Sequence, residues 1–156
     1  MAQIKFKIVT PERTVVEEDV YQATLPVEGG EITILPDHMP YIGALQAGEI
    51  VVRREQGGEE MSLATSGGFL EFHDNILAIL ADTAERAEEI DLARAEEARR
   101  KAEELNKQKA AVSAEEYART AALIEKEWAR IRVARKHHSK RGISLGNGTG
   151  GPSAGL

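Results

Sequence analysis

Two groups of side chains in this sequence have the charge and spacing to bind something. Asp91 and Arg94 stand three residues apart in Ile90-Asp91-Leu92-Ala93-Arg94-Ala95, which on a helix puts a carboxylate and a guanidinium on one face. Further on, Lys126, Arg130, Arg132, Arg135, Lys136, Lys140 and Arg141 form a basic run containing one acid, Glu127. The Asp91–Arg94 pair is either a local ion pair near a helix start, where an acid also suits the dipole, or a polar anchor towards a second helix or a ligand. The basic run is either a solvated helix face or a surface that docks on something acidic.

Catalytic chemistry is thinly represented. Cysteine is absent, which excludes disulfides, thiolate nucleophiles and cysteine-based zinc or iron–sulfur sites. No Walker A loop, G-x-S-x-G elbow or H-E-x-x-H pair occurs. Gly146, Gly148 and Gly151 spell G-x-G-x-x-G, but without a strand before it or a helix after it the match is accidental. Of the four histidines, His137 and His138 read as a solvated pair at a basic helix end, and His73 as a turn residue beside Asp74. None stands at helical metal-ligand spacing together with a carboxylate. His38 lies between Pro36 and Pro40, which forbid a helix or central strand. That rigid loop either offers a preorganised side chain to a partner or is a turn with nothing attached.

The net charge of −6 conceals a gradient. Residues 1–81 hold 13 acids and 5 bases, residues 82–125 hold 12 and 8, and residues 126–156 hold 1 and 7. The C-terminal segment is therefore expected to meet an acidic partner. Nucleic acid is disfavoured because the rest of the chain is acidic and aromatics make up only 4%. With 42% hydrophobic and 29% charged residues the composition is that of a globular protein. No run reaches the ~20 apolar residues of a membrane span, and the alternating N-terminus lacks a signal peptide's apolar core. The expected compartment is the cytoplasm or its equivalent.

The elements that position these groups change type once. Up to Leu80 the pattern is strand-like, with Ile4, Phe6 and Ile8 alternating against Lys5 and Lys7. Extended runs follow at 14–16, 20–27, 32–35, 41–45, 49–54, 60–65, 69–72 and 75–80, separated by Pro and Gly turns, as in an antiparallel sandwich. Asp82-Thr83-Ala84-Glu85 then reads as a helix start. Its helix carries a stripe of small residues: Ala84, Ala87, Asp91, Ala95, Ala98, Ala102 and Leu105. Ser113-Ala-Glu-Glu116 fits a capping box and opens a second helix with larger side chains at Tyr117, Ile124, Trp128 and Ile131. Small against large predicts an antiparallel hairpin closed mainly by a thin apolar seam. The connection 107–112 holds neither Gly nor Pro, so nothing in it forbids one continuous helix, and the hairpin is expected to open. The predicted organisation is a β-sandwich over 2–82, a helical hairpin over 83–138 and a flexible tail over 141–156.

Several motifs stand together: Gly30-Glu31-Ile-Thr-Ile-Leu35-Pro36-Asp-His38-Met-Pro40, Leu45-Gln-Ala-Gly48, Gly67-Gly68-Phe69-Leu70-Glu71, Ile79-Leu80-Ala81-Asp-Thr83-Ala84-Glu85 and Ile90-Asp91-Leu-Ala-Arg94-Ala95. In this order and spacing they closely resemble the ε subunit of bacterial F-type ATP synthase, over about residues 2–138. The resemblance implies a ten-stranded β-sandwich and a C-terminal helical hairpin. It implies a non-catalytic central-stalk subunit that couples proton translocation to ATP synthesis, bound to the γ subunit and the c ring. Such a protein is peripheral, on the cytoplasmic face of the inner (plasma) membrane, and meets the membrane only through the c ring.

The family's pattern also implies residue roles. Glu31 and His38 match the loop that faces the c ring. Lys126, Arg130, Arg132, Arg135 and Lys136 match bases that meet the catalytic α and β subunits when the helices extend, inhibiting ATP hydrolysis. Ile90, Asp91, Arg94, Ala95, Lys126 and Arg130 match the ATP-binding positions of some members, although lysine at 126 stands where ATP binders tend to carry arginine and lacks the bidentate fork. No cofactor or metal is required, with ATP as a regulatory ligand. A free-standing nucleotide-sensing module is the alternative reading.

Overall fold

A computed structural model describes residues 2–108 and 113–145, with side chains described as far as Gly142. Ten strands come first: β1 Ile4–Val9, β2 Thr14–Val20, β3 Gln22–Val27, β4 Gly30–Ile34, β5 Tyr41–Leu45, β6 Gly48–Arg53, β7 Glu60–Thr65, β8 Gly68–His73, β9 Ile76–Ala81 and β10 Ala84–Arg86. A 3-10 turn, Ala87–Glu89, leads to helices α1 (Leu92–Gln108) and α2 (Ala114–Leu145). The strands pair in the order β10-β7-β6-β3-β5-β8-β9-β1-β2, with β4 on β3. Among the described residues β1 pairs β9 in parallel, and the other pairings are antiparallel.

Alternation explains the core. Ile4, Phe6 and Ile8 point inward from β1 and are fully buried, joined by Leu25, Ile50, Leu63, Leu70, Phe72, Leu77 and Ile79. Gly68, at φ +149°, is where β8 leaves its turn; a Cβ there would lie 2.0 Å from the Leu80 carbonyl oxygen, so only glycine lets β8 approach β9.

The helix expected to begin at Asp82 begins ten residues later. Ala84, Glu85 and Arg86 pair instead with Thr65, Ala64 and Leu63 of β7, and Ala84 enters the sandwich core. The Thr83 hydroxyl donates to Ser66 Oγ at 2.8 Å and reinforces this edge. An unpaired β7 edge satisfies the backbone of 84–86 better than a solvated first turn, so tertiary pairing overrides the local cap signal. The cap is Asp91, whose Oδ1 accepts the Arg94 backbone N–H at 3.1 Å. The second cap is as expected, with Ser113 Oγ accepting the Glu116 N–H at 3.3 Å.

The two helices run antiparallel: Glu96 meets Arg135 and Arg99 meets Trp128, so positions descend on α2 as they rise on α1. From the small-residue stripe Ala95 and Ala102 are buried, whereas Leu105 is exposed. On α2 the buried set is Glu127, Ala129, Ile131, Val133 and Ala134, and Tyr117 and Trp128 lie at the surface. The distal half of α2 has two partners, α1 and the sheet edge at β6, β7 and the 3-10 turn, so burial there exceeds a single stripe. The helix also continues through Arg141 and Gly142 to Leu145, into the segment expected as tail. Residues 109–112 of the connection and 146–156, with the accidental glycine motif, lie outside the described residues.

Candidate functional site

The arm formed by α1 and α2 lies against the sandwich through a small apolar patch and a set of ion pairs. The patch joins Ala64 of β7 and Ala87 of the 3-10 turn to Ile90, Val133 and Ala134, with Leu92 at its margin. Around it Lys136 binds Glu49 of β6 at 2.9 Å and Lys140 binds Glu60 of β7. Arg130 binds Glu85 of β10 at 2.6 Å and its own helix's Glu127 at 2.8 Å. Arg135 ties α2 to α1 through Glu96 at 2.6 Å. Within the hairpin Ala95 and Ala102 of the expected seam are buried and Arg135–Glu96 adds an ion pair, whereas the pairs to Glu49, Glu60 and Glu85 join the arm to the sandwich, a contact not foreseen from the sequence. The acids Glu49, Glu60 and Glu85 are remote in sequence, which hid them from a local reading.

Beside this junction is a cleft of about 580 Å³ between β10, the 3-10 turn and both helices. Asp91, Arg94, Lys126 and Arg130 line it, so four of the six residues matched to ATP binding come together. The other two, Ile90 and Ala95, are buried, at 6% and 0% exposure, and are not among the residues lining this cleft. Asp91 spends one carboxylate oxygen on its cap bond. Glu85 and Glu127 occupy the guanidinium of Arg130, whereas Arg94 and Lys126 form no ion pair among the described residues. Burial is the strongest single influence on Arg130 and acts to lower its pKa; the bonds to Glu127 and Glu85 overcome it and raise the pKa.

Of the five bases matched to inhibitory contacts, Arg130, Arg135 and Lys136 are engaged within the chain. Lys126 and Arg132 form no ion pair among the described residues. His137, expected as one of a solvated pair, is half-buried, and its Nε2 has no hydrogen-bond partner.

At the opposite end, the Pro36–Pro40 loop is pinned by more than its prolines. Asp37, at φ 64°, donates its N–H to Asn75 Oδ1 at 2.7 Å, and Asn75 Nδ2 donates to Asp37 Oδ1 at 3.0 Å. The reciprocal pair clips the loop to the β8–β9 turn. His38 Nδ1 lies 2.7 Å from the Met39 carbonyl oxygen, and its ring packs edge-on against Phe72 at 5.8 Å. Glu31 is exposed near the start of β4, about 13 Å along the strand from the loop, and shares no bond with His38.

A surface that the sequence reading missed lies on the outer face of the sheet. Phe69 of β8 pairs in register with Leu80 of β9, and Ile42 of β5 sits one diagonal step away on the same face. Their exposures are 67%, 64% and 77%, and they adjoin one another on one face. The signal was present in Ile76-Leu-Ala-Ile-Leu-Ala81, which is apolar on both faces of a strand whose outer face is uncovered.

Among the described residues no group of His, Cys, Asp and Glu has the arrangement to hold a metal, and no helix is long and apolar enough to cross a membrane. A β-sandwich bearing a two-helix arm, with charge concentrated where the two meet, defines the class as a β-plus-α two-part protein. The family model for the ATP synthase delta/epsilon chain β-sandwich domain matches residues 3–87. An ATP synthase epsilon chain from Dehalococcoides mccartyi strain BAV1 is 46% identical over 142 residues, covering 87% of this chain and 95% of that one. One from Chloroflexus aggregans is 42% identical, covering 88% and 96%. The chain belongs to the ATP synthase epsilon chain family. In the cryo-EM structure of Euglena gracilis mitochondrial ATP synthase, a chain at 23% identity superposes with a TM-score of 0.71 over 86% of this chain and 82% of its own length, a likeness of fold.

The junction is sensitive to acid. Hydrogen bonds from Lys140 and then Arg53 hold the Glu60 carboxyl at a pKa of about 2, against the opposing effect of burial. Because the folded value lies below the unfolded one, the contribution of Glu60 is complete above about pH 4.5 and is lost as pH falls towards 2. Urea titrations from pH 5 to pH 2 are expected to show a shallower loss of stability in Glu60→Gln than in the parent; parallel slopes would contradict this.

Proposed function

We propose that this chain is the epsilon subunit of the rotor stalk, coupling proton translocation to ATP synthesis without being catalytic itself, and that its arm restrains ATP hydrolysis when it leaves the sandwich. The observation that carries this reading is that the bases suited to an acidic partner are held in the folded form by separable ion pairs rather than by a deep core. An arm released from the sandwich parts Arg130 from Glu85 and Lys136 from Glu49 together, leaving Arg130 with Glu127 of its own helix. If α1 and α2 extend as one helix of about 50 residues, it reaches ~75 Å, enough to follow a neighbouring γ subunit towards the catalytic α and β subunits.

The remaining contacts follow from the surfaces. The apolar outer face at Ile42, Phe69 and Leu80 suits a permanent partner, which in this reading is γ. The clipped loop with His38, and Glu31 near it in sequence, suit the polar loops of the c ring. Attachment to the membrane is then peripheral, through that ring, on the cytoplasmic face.

ATP is the proposed regulatory ligand of the larger cleft. Arg94 and Lys126 are free to meet phosphates there, while Arg130 must exchange its carboxylates for the nucleotide. Because nucleotide would bind the folded-back arm alone, ATP at ten times its dissociation constant adds about 1.4 kcal/mol to that state. The same cleft is what a free-standing nucleotide sensor would use; failure to co-purify with γ would favour that second reading.

Two measurements check the proposal. In the assembled enzyme, truncation after Glu89 should raise ATP hydrolysis, and the unlatched variant Glu49→Gln/Glu60→Gln/Glu85→Gln should lower it at least twofold. Equal rates in all three would remove the inhibitory role. Calorimetry with Mg-ATP should give saturable heat for the intact chain and a loss of at least tenfold in affinity for Asp91→Ala; no heat from either protein removes the ligand.

A further inference from the structure

Arg86 follows Glu85 in β10, and successive residues of a strand point to opposite sides. Glu85 faces the large cleft and Arg130. Arg86 instead lines a separate hollow of about 190 Å³ beneath the distal part of α2, together with Arg54, Lys136, His137 and Lys140. Two acids, Glu60 and Glu88, also line it, so cations outnumber carboxylates in a chain whose net charge is −6.

Most of that charge is already committed. Arg54 binds Glu18 at 2.9 Å, Lys136 binds Glu49 and Lys140 binds Glu60, which Arg53 holds as well. Two polar side chains remain unspent. The Arg86 guanidinium forms no hydrogen bond or ion pair among the described residues. His137 Nε2 is buried without a partner, a desolvated polar atom that the fold leaves uncompensated. One residue comes from the sandwich and the other from the arm, and both residues line the same hollow.

We infer that this hollow binds a small tetrahedral oxyanion, inorganic phosphate, between Arg86 and His137. Arg86 supplies the planar fork that matches two phosphate oxygens, and His137, carrying its proton on Nε2, donates to a third. The unoccupied hydrogens of the Lys136 and Lys140 ammonium groups and the Ser62 hydroxyl complete the surroundings. At about 190 Å³ the hollow is below the ~300 Å³ at which pockets begin to enclose drug-sized molecules, so it suits the inorganic ion and not a whole nucleotide. An anion held by β10 on one side and α2 on the other stabilises the folded-back arm by mass action, because the site exists only in that state. This inference is independent of the nucleotide reading of the larger cleft, which uses different side chains.

The test is titration of the full chain with inorganic phosphate at constant ionic strength, set with potassium chloride, followed by calorimetry and by the imidazole nitrogen signals of His137. Saturable binding with a shift of the His137 Nε2 resonance is expected. Arg86→Gln should weaken it at least tenfold, and His137→Gln provides the same comparison should Arg86→Gln fold poorly. An effect that chloride reproduces, or equal affinity in the parent and both site variants, overturns the inference.

Discussion

The contact on which the arm's position depends is Arg130 with Glu85 and Glu127. Its members are 16%, 32% and 5% exposed at the side chain, so three charges are taken largely out of water at one point. The net stabilisation from such a cluster is small, because desolvation offsets most of the attraction. Removing Arg130 is a different matter, costing about 3–5 kcal/mol because it leaves the buried Glu127 without its partner. The cluster therefore acts mainly to specify one seat for α2 on β10, and contributes little to the depth of that state. The outlying pairs of Lys136 and Lys140 are more exposed and contribute about 0–1 kcal/mol each. An arm held this way is well positioned and cheaply released.

That balance contrasts with the sandwich. Phe6, Phe72 and a ring of fully buried Ile and Leu side chains give the ten strands one continuous core, whereas the patch under the arm rests on alanines, a valine and Ile90. At roughly 25 cal/mol per Å² of apolar surface, alanine-rich contacts stabilise far less than the phenylalanine and isoleucine core. A rigid body and a loosely seated limb follow from composition alone. Both ligand-sized spaces, the cleft and the smaller hollow, lie where the two meet, so anything bound in either is linked to where the arm sits.

Much of this was legible in the sequence. The alternation of Ile4, Phe6 and Ile8, the glycine turns and the capping box at Ser113 announced their elements because each depends on neighbours within a few residues. What was misread depends on distant partners. Asp82 to Glu85 mimics a helix start, and only the free edge of β7 makes it a strand. Asp91 carried two readings, and the geometry gives it the cap while placing it at the cleft wall. Glu49, Glu60 and Glu85 carry no local mark of what they bind. The outer apolar face is legible in β9, where the run of Ile76 to Ala81 is apolar on both sides of a strand whose outer side is uncovered.

The central claim is that ion pairs fix where the arm sits on the sandwich while holding it there only shallowly. It is tested most directly by the distance between spin labels at Glu59 and Ser139, both exposed, in a chain whose lack of native cysteine leaves the labels unique. At low salt the account predicts a single short distance. At about 1 M salt, where the screening length is near 3 Å, it predicts a second, longer population. A distribution that stays short and unchanged between the two conditions would contradict it.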